Sequence, residues 1–167
     1  MTFEEYQKEA VKFRTESANN EEYLTLGLIE EVGEAAGKLA KRRRDGVFDE
    51  KAFIKELGDI LWFVANLADY WDNGTNVIST NLADCFDFDF YDDRNDVEEC
   101  AKALAYWSSA VVYDERDIDE CFTEIVSNIM CLANDFGYTL EQVEEINLAK
   151  LRDRAERGKI QGNGDER

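Results

Sequence analysis

Apolar positions recur at helical spacing almost from the first residue, and that rhythm sets the first expectations. Thr2 stands three residues before Glu5 as a capping box, and Phe3, Tyr6, Ala10 and Phe13 then repeat on one helical face. A first helix is predicted there. After the polar break Ser17 to Asn20, a second helix is predicted from about Tyr23 to Arg44, with Leu28, Val32, Ala35 and Leu39 on one face and Asp45-Gly46 as its stop. The basic run Lys41 to Arg44 suits a helix C-terminus. A third helix, capped near Asp49, aligns Phe53, Leu57, Ile60, Leu61, Val64 and Trp71 before Asn73-Gly74 ends it. Helices two and three, joined by a short turn, make an antiparallel hairpin.

Residues 84–99 break this rhythm by interleaving acids with aromatics, and they read as a loop or short irregular segment. An EF-hand is excluded there, because Tyr91 and Asp92 stand where a ligand and the turn glycine belong. Two more helices are predicted over about 96–112 and 117–135, and Thr139, with Gln142 three residues on, opens a last one reaching roughly Arg157. The Gly-rich tail 158–167 reads as a mobile end or a flap.

A shift of 68 residues aligns Glu30, Glu31, Ala35, Asp49, Glu56, Ala65, Asn66 and Tyr70 with Glu98, Glu99, Ala103, Asp117, Glu124, Ala133, Asn134 and Tyr138. These eight identities over 30–70 and 98–138 exceed the roughly three expected from composition, and the shift also superposes two predicted helices. The expected architecture is an all-α helical bundle, one domain over 1–167, with an internally duplicated helical hairpin. Lys102 stands at Glu34's place in the second copy and Ser127 at Asp59's, so that copy is read as degenerate.

Composition narrows the chemistry. The 167 residues contain no His, so histidine bases, Ser-His-Asp or Cys-His nucleophiles and two-histidine zinc helices are excluded. Thirty-eight Asp and Glu against 19 Lys and Arg give a formal charge of -19, which repels nucleic-acid phosphate and anionic lipid. No nucleic-acid or membrane partner is therefore expected. Cys85, Cys100, Cys121 and Cys131 match neither a metal pair nor a compact disulfide framework, and the acidic start MTFEEYQKEA lacks the features of a signal peptide. Buried thiols in a reducing cytoplasm are the expectation.

Glu30-Glu31-Val32-Gly33-Glu34 lies in helix two and Glu56-Leu57-Gly58-Asp59 in helix three. Glu31 and Glu34 are spaced i,i+3, as are Glu56 and Asp59, so each pair projects from one helix face. If the hairpin brings those faces together, the four acids need a cation, and oxygen-only ligands favour Mg²⁺ or Mn²⁺. Solvated acidic faces explain the same spacing. A di-iron bundle does not, because it requires Glu-x-x-His.

The order EExxE, 21 intervening residues, then ExxD resembles the MazG-like nucleotide pyrophosphohydrolases of the all-α NTP pyrophosphatase superfamily. The resemblance extends over GLIEEVGEAAGKLAK, KELGDILWFVANLA and the ending GYTLEQVEEINLAKLRDRAERGKIQGNGDER, which is similar to phage-type members. It implies an all-α bundle that hydrolyses a nucleoside triphosphate to the monophosphate and pyrophosphate with Mg²⁺, Mn²⁺ being a possible substitute. By resemblance Glu31, Glu34, Glu56 and Asp59 are the metal ligands, with Glu31 and then Glu34 as candidate general base. Phe63 matches a base-stacking aromatic and Asn66 an associated amide, although both also fit as core. Asn147, Lys150 and Arg154 lie on one stripe of the last helix, suited to a triphosphate or to the helix's own dipole. Lys38 with Lys41 to Arg44 reads as a solvated helix end. Alternative functions are a catalytically silent acidic interaction module and an alarmone hydrolase. A homo-oligomer, a dimer first, is a further expectation, and a phage-encoded enzyme would work in the host cytoplasm.

Overall fold

The computed structural model describes residues 1–71, 96–113 and 118–159. Six α-helices run over Phe3–Ala10 (α1), Glu21–Asp45 (α2), Glu50–Trp71 (α3), Val97–Tyr113 (α4), Ile118–Asp135 (α5) and Leu140–Glu156 (α6), with no strand among the described residues. The fold is all-α. Of the sequence expectations, the irregular reading of 84–95, the Asn73-Gly74 stop, Cys85 and residues 160–167 of the tail lie outside the described residues.

Local chemistry explains the helix ends. The Thr2 backbone N–H donates to Glu5 Oε2 at 2.8 Å, and the Glu5 N–H donates back to Thr2 Oγ1 at 3.2 Å. Thr139 and Gln142 repeat that box at the start of α6. Asn20 accepts from the Tyr23 N–H at 2.8 Å, which starts α2 two residues earlier than its apolar pattern suggests. Gly46, at φ 70°, closes α2 in the left-handed conformation. The first helix is shorter than predicted: beyond Ala10 the chain tightens into a 3₁₀ turn over Val11–Phe13. The helix expected from about residue 96 begins at Val97, so Val97 to Glu99, which the irregular reading of 84–99 also covers, belong to α4.

α3 occupies the centre because it is the helix with apolar residues on every side: Phe53, Leu57, Ile60, Leu61, Val64 and Leu67 are all buried. It pairs with α2 in one hairpin, while α4 and α5 pair in a second, and α2 packs on α4. α6 covers another side of α3, and α1 lies across both α3 and α6. Trp62 Nε1 donates to the Ala10 carbonyl at 3.2 Å, which fastens α1 to α3. In the second hairpin the Cys100 and Cys131 sulfurs lie 2.9 Å apart across the α4–α5 seam. No helix among the described residues is long and apolar enough to cross a membrane.

One core group sets a pH dependence. Glu144 on α6 is only 1% exposed, and neither carboxyl oxygen has a hydrogen-bond partner among the described residues. Burial, reinforced by Glu141, Glu145 and Glu5 and partly offset by the N-terminal amine, pushes its carboxyl up to about 8. The folded chain therefore keeps a proton there through a range where the unfolded chain has lost it, so stability falls as pH rises from about 4.5 to about 8. Glu144→Gln should raise the melting temperature relative to the parent by an amount that grows across that window and vanishes near pH 4. Melting curves of both proteins at pH 4, 6 and 8 measure this directly.

Candidate metal centre

The α2–α3 hairpin brings three of the four expected carboxylates together. Glu31 from α2 and Glu56 and Asp59 from α3 each offer an oxygen, and these atoms lie within 4.8 Å of one another. That separation is close to the span across an octahedral Mg²⁺, about 4 Å for metal–oxygen distances of about 2.1 Å. A donor set of hard oxygens, with no imidazole or thiolate, fits Mg²⁺ or Mn²⁺. Glu34, one turn along α2 from Glu31, is exposed and stands outside this cluster. The i,i+3 spacing puts it on the same face of α2 as Glu31, yet its carboxylate does not join the other three.

Burial makes the cluster costly. Glu56 is 3% exposed, and desolvation together with Asp59, Glu56 and Glu34 pushes the Glu31 carboxyl up to about 8. Two lysines offset the charge. Lys150 of α6 pairs with Asp59 Oδ2, and Lys38 Nζ lies 2.9 Å from Glu56 Oε1. The second pair corrects the expectation that Lys38 belongs to the solvated end of α2. Its side chain is only 25% exposed and reaches across the hairpin, whereas Lys41 to Arg44 are exposed as expected.

α6 and α1 supply the remaining support. Asn147, 1% exposed, donates through Nδ2 to Asp59 Oδ1 at 3.0 Å. The Tyr6 hydroxyl donates to Asn147 Oδ1 at 2.8 Å, and burial, with Asp59 and Glu144 nearby, holds the phenol well above its ordinary range. A phenol that keeps its proton presents a donor, which turns the Asn147 carbonyl toward Tyr6 and its amide N–H toward Asp59. Gly58 lets α6 approach, since a Cβ there would fall 2.9 Å from Asn147 Cβ. Asn147 and Lys150 thus hold Asp59 in this structure, and Arg154 lies half-buried one turn beyond Lys150.

Phe63 is buried against Trp62, edge-on at 4.9 Å between centroids, and against Tyr23 at 5.8 Å. Asn66 is fully buried, and its Nδ2 donates to the Trp62 carbonyl at 2.7 Å. Its Oδ1 has no partner among the described residues. Tyr6 and Glu144 are site neighbours that sequence reasoning misses. In the sequence Tyr6 is only one apolar position of the first helix, and no spacing rule reports that α1 folds back over α6.

Comparison with known proteins gives this arrangement a family. Residues 19–83 match the model of the MazG nucleotide pyrophosphohydrolase domain. Residues 19–83 are thus similar to a MazG domain. The match takes in α2, α3, Glu31, Lys38, Glu56 and Asp59, while Tyr6, Asn147 and Lys150 lie beyond it. Over 55 residues the chain is 44% identical to the Gene 37 protein of Mycobacterium phage L5, a match covering 30% of this chain and 48% of that protein. The chain thus spans about half the length of this curated relative, and the likeness supports a phage-type MazG domain. No solved structure matches the chain significantly. MazG domains form a metal-dependent hydrolase family, and in this chain the acidic cluster lies in the hairpin that matches them.

Proposed function

We propose that the protein is a Mg²⁺-dependent nucleoside triphosphate pyrophosphohydrolase, releasing pyrophosphate and a nucleoside monophosphate. The observation that carries this reading is the convergence of Glu31, Glu56 and Asp59 in a partly buried cluster beside two lysines. Mg²⁺ held there would polarise the α-phosphate and acidify the attacking water. Glu31 would take the water's proton on an oxygen left free. Exposed Glu34 lies one turn away, where it can receive that proton in turn. Lys150 and Arg154, on the same stripe of α6, meet the β- and γ-phosphates, and Asn147 keeps Asp59 in place meanwhile.

Phe63 and Asn66 lie one and two turns beyond Asp59 on α3 and would face the nucleoside. The unpartnered Asn66 Oδ1 favours a ligand donor there, and Phe63 stands one turn before it on α3. Pyrophosphate release from a panel of ribo- and deoxyribonucleoside triphosphates, with and without chelator, tests the proposal. Chelator-sensitive release from at least one of them is expected. An absence of release from every triphosphate, with Mg²⁺ saturating, would point instead to a silent interaction module.

The second hairpin enters the proposal as a degenerate copy of the first within a single domain. Subtracting 68 carries residues 97–113 of α4 onto 29–45 within α2, and residues 118–135 of α5 onto 50–67 within α3. Glu99 is exposed and pairs with Lys102, and Glu99 and Glu124 join no metal-competent cluster among the described residues. The α4–α5 pair then provides, inside one chain, the bundle half that α2 packs against. Glu124→Gln is expected to keep turnover within about twofold of the parent, because no cation charge is lost with it. Loss of turnover in a folded Glu124→Gln protein would contradict the degenerate reading.

A further inference from the structure

The Lys38–Glu56 pair joins a cation to one of the proposed metal ligands, and its role deepens the metal-centre reading on which it rests. A 3% exposed carboxylate needs a partner, and Lys38, arriving from the opposite helix at 2.9 Å, is one. Glu56 is also one of the three acids whose oxygens converge. A divalent cation and an ammonium therefore compete for the same carboxylate, and their mutual repulsion disfavours joint occupancy. Lys38 has somewhere to go: its side chain is a quarter exposed, and its four-carbon stem is flexible. It sits one turn past Glu34 and two past Glu31 on α2, while Lys150 pairs with Asp59 from α6.

We propose that Lys38 is an exchangeable counter-ion. It neutralises Glu56 in the cation-free protein, yields that carboxylate when Mg²⁺ enters, and then places its ammonium on the phosphates of the incoming triphosphate. The site keeps one positive partner on Glu56 at every stage, and the ammonium released by the cation becomes available where the substrate brings negative charge. Lys150, paired with another of the converging acids, would be the second cation for the triphosphate.

The exchange predicts opposite signs for two affinities, which a merely structural lysine would not produce. Mn²⁺ alone is titrated into the full-length protein, its Lys38→Met and Lys38→Gln variants, and Lys38→Arg as the charge-conserving control. Removal of the competing ammonium should tighten Mn²⁺ binding about fivefold or more in Lys38→Met and Lys38→Gln. The KM for the best nucleoside triphosphate should rise about tenfold in both, with a smaller change in kcat, while Lys38→Arg stays near the parent in each measurement. Gln retains a neutral donor for Glu56, so it reports even if the Met variant folds poorly.

Unchanged or weaker Mn²⁺ binding in these variants would overturn the exchange. Tighter binding with an unaltered KM would also overturn it, because the ammonium would then never reach the phosphates. A parent protein that bound no Mn²⁺ would sink the metal-centre reading itself. Parent binding without the opposite shifts would sink only this inference.

Discussion

Glu56→Gln is expected to lower pyrophosphate release at least about a hundredfold at saturating Mg²⁺ while leaving the fold intact. The substitution preserves volume at a 3% exposed position and removes a full negative charge from one of the three converging ligands. Its cost to stability should be small. Truncating one member of a buried ion pair usually strands the other, but Lys38 is a quarter exposed and can turn its head to water. The loss should therefore appear in turnover and in Mn²⁺ affinity together, with a melting temperature close to the parent's. A folded Glu56→Gln protein with near-parental turnover would eliminate the proposed centre. The contrast with Glu124→Gln, its counterpart 68 residues on, makes the pair more informative than either variant alone.

The elements and the site differ in how far local sequence could reveal them. Helix starts are legible where a single side chain satisfies a nearby N–H, as at Thr2 and Thr139, and the end of α2 is legible in Gly46. The convergence of Glu31, Glu56 and Asp59 is also within reach, since i,i+3 spacing and a short hairpin bring the α2 and α3 faces together. The absence of Glu34 from that cluster is not, because its i,i+3 spacing from Glu31 places it on the same helix face. Lys38 escapes notice for a related reason: within α2 it belongs to a basic stretch, and only its distance to Glu56 distinguishes it from Lys41. The helical stripe assigns Asn147 to phosphate, yet in this structure it links Tyr6 to Asp59. That link spans residues 6, 59 and 147, a separation no pattern along the chain records.

Gly27→Val is expected to damage both stability and nucleotide binding, through one contact. Gly27 is buried where α2 crosses α3, and a Cβ there would fall 2.2 Å from Phe63 Cε1 and 2.3 Å from its Cζ. Those atoms are the far edge of a side chain, so in open surroundings the ring could turn aside. Here it is confined by Trp62 at 4.9 Å and Tyr23 at 5.8 Å. Removing glycine from a helix interior gains at most about 1 kcal/mol, and less for a β-branched residue than for alanine. Overpacking costs about 1–3 kcal/mol and therefore wins, which should lower the melting temperature by several degrees, at roughly 2–4 °C per kcal/mol for a chain of this size. If Phe63 is the base platform, displacing its ring should also raise the KM for the nucleotide about tenfold. Mn²⁺ affinity should hold, because Glu31 lies a full turn farther along α2, Glu56 lies two turns before Phe63, and Asp59, one turn before it, is held by Asn147 and Lys150. Combining Gly27→Val with Phe63→Ala should recover part of the lost stability by making room for the valine, without recovering KM. Normal KM in the double variant would show that Phe63 serves the core and that the nucleoside binds elsewhere.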